Sequence, residues 1–270
     1  MLGKLMKHEF KTTSKIILPL YLLVVVLTIF ARIFAQSLLV SENSNIDSIG
    51  FGIFGGLSVL LYILGLFAVS ITTFIYLLVR FYKNLFCDEG YLMHTLPVTS
   101  WELLTSKLLV GFIWNLAETL LIALSVFCIF ANHDVFNAAD QFFASFGGFD
   151  GMIYYYTGLH SGAFWLYLIA FILISLFFGL LLPYACICIG QLWQKHKLAG
   201  AFLSYFVINI IIQIVRAIYV GLTGDTAAIS QAENYIPIAT YGFIMMLNLL
   251  LCVLFFFLCG FIMKKKVNLE

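Results

Sequence analysis

Apolar residues in this chain fall into six long runs: Ile16–Val40, Phe51–Arg80, Leu103–Ala131, Ala163–Gly190, Leu198–Val220 and Ile236–Met263. A helix needs roughly 20 apolar residues to cross about 30 Å of hydrocarbon, and each run supplies them. The runs lack the period-2 alternation that a spanning β-barrel requires. Helices are the other arrangement that satisfies every backbone amide in lipid. The pattern therefore predicts an all-α, polytopic membrane protein with six transmembrane helices, formed by residues 16–270 as one membrane domain. The second and fourth runs exceed a perpendicular crossing and should tilt or project beyond the bilayer. Residues 1–15 read as a separate interfacial amphipathic helix. At about 100° per residue, Lys4, Lys7, Lys11 and Lys15 share one face, and Leu2, Leu5, Met6 and Phe10 the other. Such a helix lies with its lysines toward anionic headgroups. Glu9 interrupts the apolar face, either simply exposed or paired with Arg80 or Lys83.

Composition agrees with this reading. Of the 270 residues 63% are hydrophobic and 10% charged, and the mean hydropathy is +1.06. So few charges cannot coat a soluble domain. Their placement sets an orientation. With the N-terminus inside, twelve of the fourteen Lys and Arg residues fall on the cytoplasmic side. These are the four N-terminal lysines, Arg80, Lys83 and Lys107 around the second-to-third loop, Lys195 and Lys197 between the fourth and fifth runs, and Lys264–Lys266. The outer loops hold Glu42, Asp47, Asp134, Asp140, Asp150, Asp225 and Glu233 and no basic residue. The positive-inside rule then places both termini in the cytoplasm. The first run is too long for a cleaved signal peptide and should be retained.

The loops differ in character. Asn132–Gly162 is long and aromatic (Phe136, Phe142, Phe143, Phe146, Phe149, Tyr154–Tyr156), which suits membrane anchoring or a lid over cargo. Gly221–Tyr235 is expected to dip back toward the bilayer. Cys186 and Cys188 form a C-x-C pair without a nearby set to complete a metal site, so packing is the expected role. Gly52 and Gly56 make a G-x-x-x-G step that permits close helix contact.

The loop 81–100 is the most informative stretch. Asp88 and Glu89 suit the positive end of a short helix. Tyr91, Leu92, Met93 and Leu96 would form its apolar face, and Pro97 would end it. Thr99 and Glu102 then spell a capping box for the third span. A short helix exposing Tyr, Leu and Met seats either in a partner's groove or on the inner ends of its own spans. The order acidic–Gly–x–Leu–x–x–x–Leu-Pro-Val-Thr (Glu89–Thr99), with Lys107 following, resembles ABC transporter permeases of the type-2 exporter family. The similarity is greatest to small six-span permeases of Gram-positive bacteria, whose openings look like Leu2–Lys11 running into Leu18–Tyr21. Tyr91 stands where many relatives carry Thr.

The resemblance implies that Asp88–Leu96 is a coupling helix contacting a separate ATP-binding cassette subunit. It also implies a second permease copy or a paralogue as partner, alongside membrane lipids, with no nucleic acid. The implied cargo is an antimicrobial peptide, a drug or a lipid-like molecule. No G-x-x-x-x-G-K-[ST] stretch is present, so the chain has no phosphate-cradling loop of its own and is not expected to be an enzyme. It needs no cofactor itself; ATP and Mg would reside on the partner.

Three ionisable residues fall deep in the runs: Arg32, Glu118 and Arg216. Counting about 1.5 Å per residue puts them at roughly 24, 22 and 27 Å from the inner ends. Glu118 is expected either to pair with one of the arginines or to line an aqueous pathway, since an unpaired charge there costs at least ~2.5–3.5 kcal/mol. Asn115, Asn209, Gln213 and Asn248 read as interhelical glue. An intramembrane enzyme would need a base or metal set that the five histidines cannot supply. A secondary transporter would have only Glu118 as a proton site.

Overall fold

The computed structural model describes residues 2–41, 48–87, 99–131, 133–193, 196–223 and 238–265, with 34–41, 48–55, 133–135, 139 and 265 described by backbone alone. The described residues are helical with short turns: α1 Leu2–Ser41, α2 Ser48–Phe86, α3 Ser100–Phe130, α4 His133–Ser145, α5 Phe149–Thr157, α6 Ser161–Gly190, α7 Lys197–Thr223 and α8 Ile238–Lys265. Six of them, α1, α2, α3, α6, α7 and α8, are long and apolar enough to cross a membrane. The described residues are thus all-helical, with the six spanning-length helices of a multi-pass membrane protein, as the six apolar runs predict. Its residues gather into two compact units. The first is Met1–Val79 with Leu109–Ala138; the second is Arg80–Leu108 with Ala139–Glu270.

The first unit turns its polar side chains inward. One stripe runs along α1 through Glu9, Thr13, Ile17, Tyr21, Val24, Thr28 and Ala31, all buried. Their spacing of three or four is that of one helix face. Ser58, Tyr62, Val69, Thr73 and Leu77 are buried on α2, and Val110, Trp114, Glu118 and Ser125 on α3. Leu22, Phe67 and Leu124 lie on the outside, more than 60% exposed. Hydroxyls inside and aliphatics outside is the arrangement lipid favours, because polar groups gain partners only between helices.

The stripe runs on through residue 15, and α1 is unbroken from Leu2 to Ser41. Thr12, Thr13 and Ser14 return their hydroxyls to carbonyls three or four residues back, so they do not interrupt the helix. The buried face continues from Glu9 past Pro19 to Ala31. Residues 2–15 are thus continuous with the helix of the first apolar run. Lys4, Lys7, Lys11 and Lys15 are exposed as expected, but Glu9 is buried. Of the G-x-x-x-G step, Gly52 lies among the residues described by backbone alone. Gly56 faces open space, and the close approach on α2 comes at Gly65, where a Cβ would meet the Leu27 side chain.

In the second unit α6 is central, packing against α5, α7 and α8. Every residue from Leu180 to Cys186 is buried, which accounts for the absence of an amphipathic period there. Phe81 stacks on Tyr184 at 3.9 Å. Backbones of α6 and α7 approach closely at Gly190, where a Cβ would lie 2.6 Å from the Lys197 carbonyl oxygen and 2.7 Å from the Ala201 nitrogen. Gly260 lies under the Trp101 indole, 2.2 Å from where a Cβ would be. Lys107, expected beside a loop, is buried within α3 because that helix already begins at Ser100.

Within the stretch read as the second outer loop, residues 133–157 fold into α4 and α5 with a turn at Gly147 and Gly148. Both take left-handed backbone conformations, φ 77° and 98°, which suit glycine. In the second unit its aromatics pack on one another: Phe142 edge-on to Phe146, Phe143 edge-on to Phe149, and Phe149 stacked on Trp165.

Candidate functional site

Glu118 lies in the middle of α3 and is 6% exposed. Its carboxyl meets the hydroxyls of Ser70 and Thr73 on α2. Tyr21 on α1 is close enough to interact with it electrostatically. One carboxyl oxygen, Oε1, is buried without a hydrogen-bond partner.

The surrounding hydroxyl protons are largely committed elsewhere. Tyr21 donates to the Trp114 carbonyl at 2.7 Å, and Thr73 donates to the Val69 carbonyl at 3.0 Å. Ser70 is left as the hydroxyl with a proton to give the carboxylate. The pocket is therefore rich in oxygen lone pairs and poor in donors.

Trp114 holds this region together. Its indole N–H donates to Thr13 Oγ1 at 2.8 Å, and its ring stacks on Phe10 at 4.7 Å. Thr13 donates in turn to the Glu9 carbonyl at 2.8 Å. Both hydrogen-bonding functions of this buried hydroxyl are used, as burial demands.

Arg32 does not pair with Glu118. Its guanidinium donates to the Ile129 and Ala131 carbonyls at 2.5 and 2.8 Å, and Ile129 lies about 16 Å along α3 from Glu118. The last carbonyls of a helix lack intrahelical partners and carry the negative end of its dipole. Arg32 answers both. Hydrogen bonds to charged groups contribute about 1.5–3 kcal/mol each, which matches the cost of seating a cation in a span.

In the second unit Arg216 Nη2 donates to Asn248 Oδ1 at 2.8 Å, joining α7 to α8, while its Nε is buried without a partner. Tyr219 stacks on Phe243 at 3.7 Å across the same pair of helices. Asn248 thus acts as interhelical glue. Asn209 bonds only within its own helix, to the Tyr205 carbonyl. Cys186, Cys188 and Cys259 are buried free thiols, with Cys188 and Cys259 in contact between α6 and α8.

Asp88, Glu89, Tyr91, Leu92, Met93 and Leu96 lie outside the described residues. Their flanks are described. α2 ends at Phe86, and α3 opens on the capping box. The Thr99 N–H donates to Glu102 Oε2 at 3.1 Å and the Glu102 N–H to Thr99 Oγ1 at 3.4 Å.

Sequence reasoning singled out Glu118 but missed Tyr21, Ser70 and Thr73. The i, i+3 spacing of Ser70 and Thr73 puts both hydroxyls on one face of α2, a signal available in the sequence. No family model matches this chain, and neither a curated protein nor a solved structure does.

Proposed function

We propose that this chain is the membrane-spanning permease subunit of an ATP-driven bacterial exporter, powered by a separate ATP-binding cassette subunit. The observation that carries the reading is the stretch Glu89–Thr99, acidic–Gly–x–Leu–x–x–x–Leu-Pro-Val-Thr. It stands between the end of α2 and the reciprocal Thr99–Glu102 cap that starts α3. A short apolar helix tied closely to two spans is suited to carrying a push from a motor into the membrane. Six helices of spanning length are consistent with half of a paired pathway.

In this reading both termini and the 81–100 loop are cytoplasmic, because the lysines and arginines gather at that side. A second copy or a paralogue completes the pathway. The cargo is an antimicrobial peptide, a drug or a lipid-like molecule.

The test is co-purification of the full chain with the P-loop ATPase expressed beside it. Leu92→Asp with Met93→Asp should abolish that association while leaving membrane insertion intact. Unchanged association would remove the coupling role. Transport driven by a proton gradient in vesicles holding this chain alone would overturn the reading.

A further inference from the structure

We propose that Glu118, Ser70 and Thr73 form a seat for one small, hard, monovalent cation, Na+ or a proton, inside the first unit. The inference goes beyond the transport reading and does not depend on it.

The first support is a missing partner. Glu118 is more than nine-tenths buried, and its Oε1 has no hydrogen-bond donor. An ionised carboxylate in a dry interior needs a counter-charge or several donors. Ser70 keeps a proton for the carboxyl, but the other nearby donors are directed elsewhere. The Tyr21 and Thr73 protons go to main-chain carbonyls, and the Arg32 guanidinium goes to the end of α3.

The second support is the chemistry of the atoms that face Glu118. Tyr21 approaches from α1, and Ser70 and Thr73 approach from α2. With its proton turned to the Val69 carbonyl, the Thr73 oxygen presents a lone pair, while Tyr21 acts on the carboxyl electrostatically. Oxygen ligands select hard cations over soft ones.

Charge decides the valence. One carboxylate neutralises one positive charge, whereas a divalent ion would leave an uncompensated charge buried among apolar side chains. Among the described residues no group of three or more His, Cys, Asp or Glu gathers to hold a multivalent ion. Na+ and a proton satisfy the same requirement, and they differ in whether the oxygens around Glu118 serve as ligands or as hydrogen-bond acceptors.

The experiment uses the full-length protein in detergent at constant ionic strength, with choline chloride replaced by NaCl, LiCl or KCl. Thermal unfolding is followed for the wild type and Glu118→Gln. If the seat holds Na+, the wild-type Tm rises by about 2–4 °C once Na+ exceeds its dissociation constant tenfold, and Glu118→Gln does not respond. If it holds a proton, salt identity has no effect, but the Tm gap between wild type and Glu118→Gln changes over about pH 5–9. Either result supports the seat and identifies its occupant.

A gap independent of both salt and pH overturns the proposal. Should Glu118→Gln fail to fold, Ser70→Ala and Thr73→Val keep the carboxylate and each remove one oxygen. Each should raise the half-saturating Na+ concentration about tenfold or displace the pH midpoint. If neither variant changes the response, the proposal fails.

Discussion

Arg32 caps the far end of α3: its Nη2 donates to the Ala131 carbonyl at 2.8 Å, and its Nη1 to Ile129 at 2.5 Å. The guanidinium fork binds two carbonyls that the helix itself leaves open, a task that a single ammonium performs poorly. Arg32→Ala should lower stability by about 2–4 kcal/mol, and Arg32→Lys should recover less than half of that. A double-mutant cycle between Arg32 and Glu118 should give a coupling below about 0.5 kcal/mol. Coupling well above that would mean the two side chains act as an ion pair.

Trp114 offers a second test. Trp114→Phe keeps the stack on Phe10 but removes the N–H that reaches Thr13. The expected loss is about 1–2 kcal/mol. Thr13→Val removes the other half of the bond, so the double variant should lose less than the sum of the two. Calorimetric or chemical unfolding in detergent reads both values, and strict additivity would contradict the bond.

Gly260 and Trp101 form a contact whose sign can be checked. Gly260→Ala drives a methyl into the indole, and the helix must shift or the ring must move. Overpacking of this kind costs about 1–3 kcal/mol. In a Trp101→Leu background the same alanine should be close to neutral. An equal penalty in both backgrounds would locate the strain elsewhere.

Between α7 and α8, Asn248→Leu strands the Arg216 guanidinium, whose Nε already lacks a partner. The single variant should lose about 2 kcal/mol or more, while Arg216→Met with Asn248→Leu should recover most of it. An apolar pair can replace a polar one when both members change together. A double variant no more stable than Asn248→Leu alone would refute this account.

The six helices were legible because spanning length and uniform apolarity are properties of single segments. The Thr99–Glu102 cap was legible for the same reason, being a local four-residue pattern. The Arg32 partners were not. Main-chain carbonyls have no residue identity, so the search for a partner looked to the nearest carboxylate, Glu118. The inward turn of Glu9 was also hidden, because in lipid a charged residue on an apolar face signals burial where in water it would signal exposure. α4 and α5 escaped because Gly147–Gly148 reads as loop chemistry while also serving as a tight joint between two helices. Glu118 stood out as a lone acid in an apolar run. The committed protons of Tyr21 and Thr73 depend on local rotamers that composition does not reveal.

At Gly190 there is no side chain to act as a bearing between α6 and α7; main chain rests directly on main chain. Two helices fused in this way travel as one stiff plate. Any shift of α8 against that plate must then break the Arg216–Asn248 bond that ties it to α7.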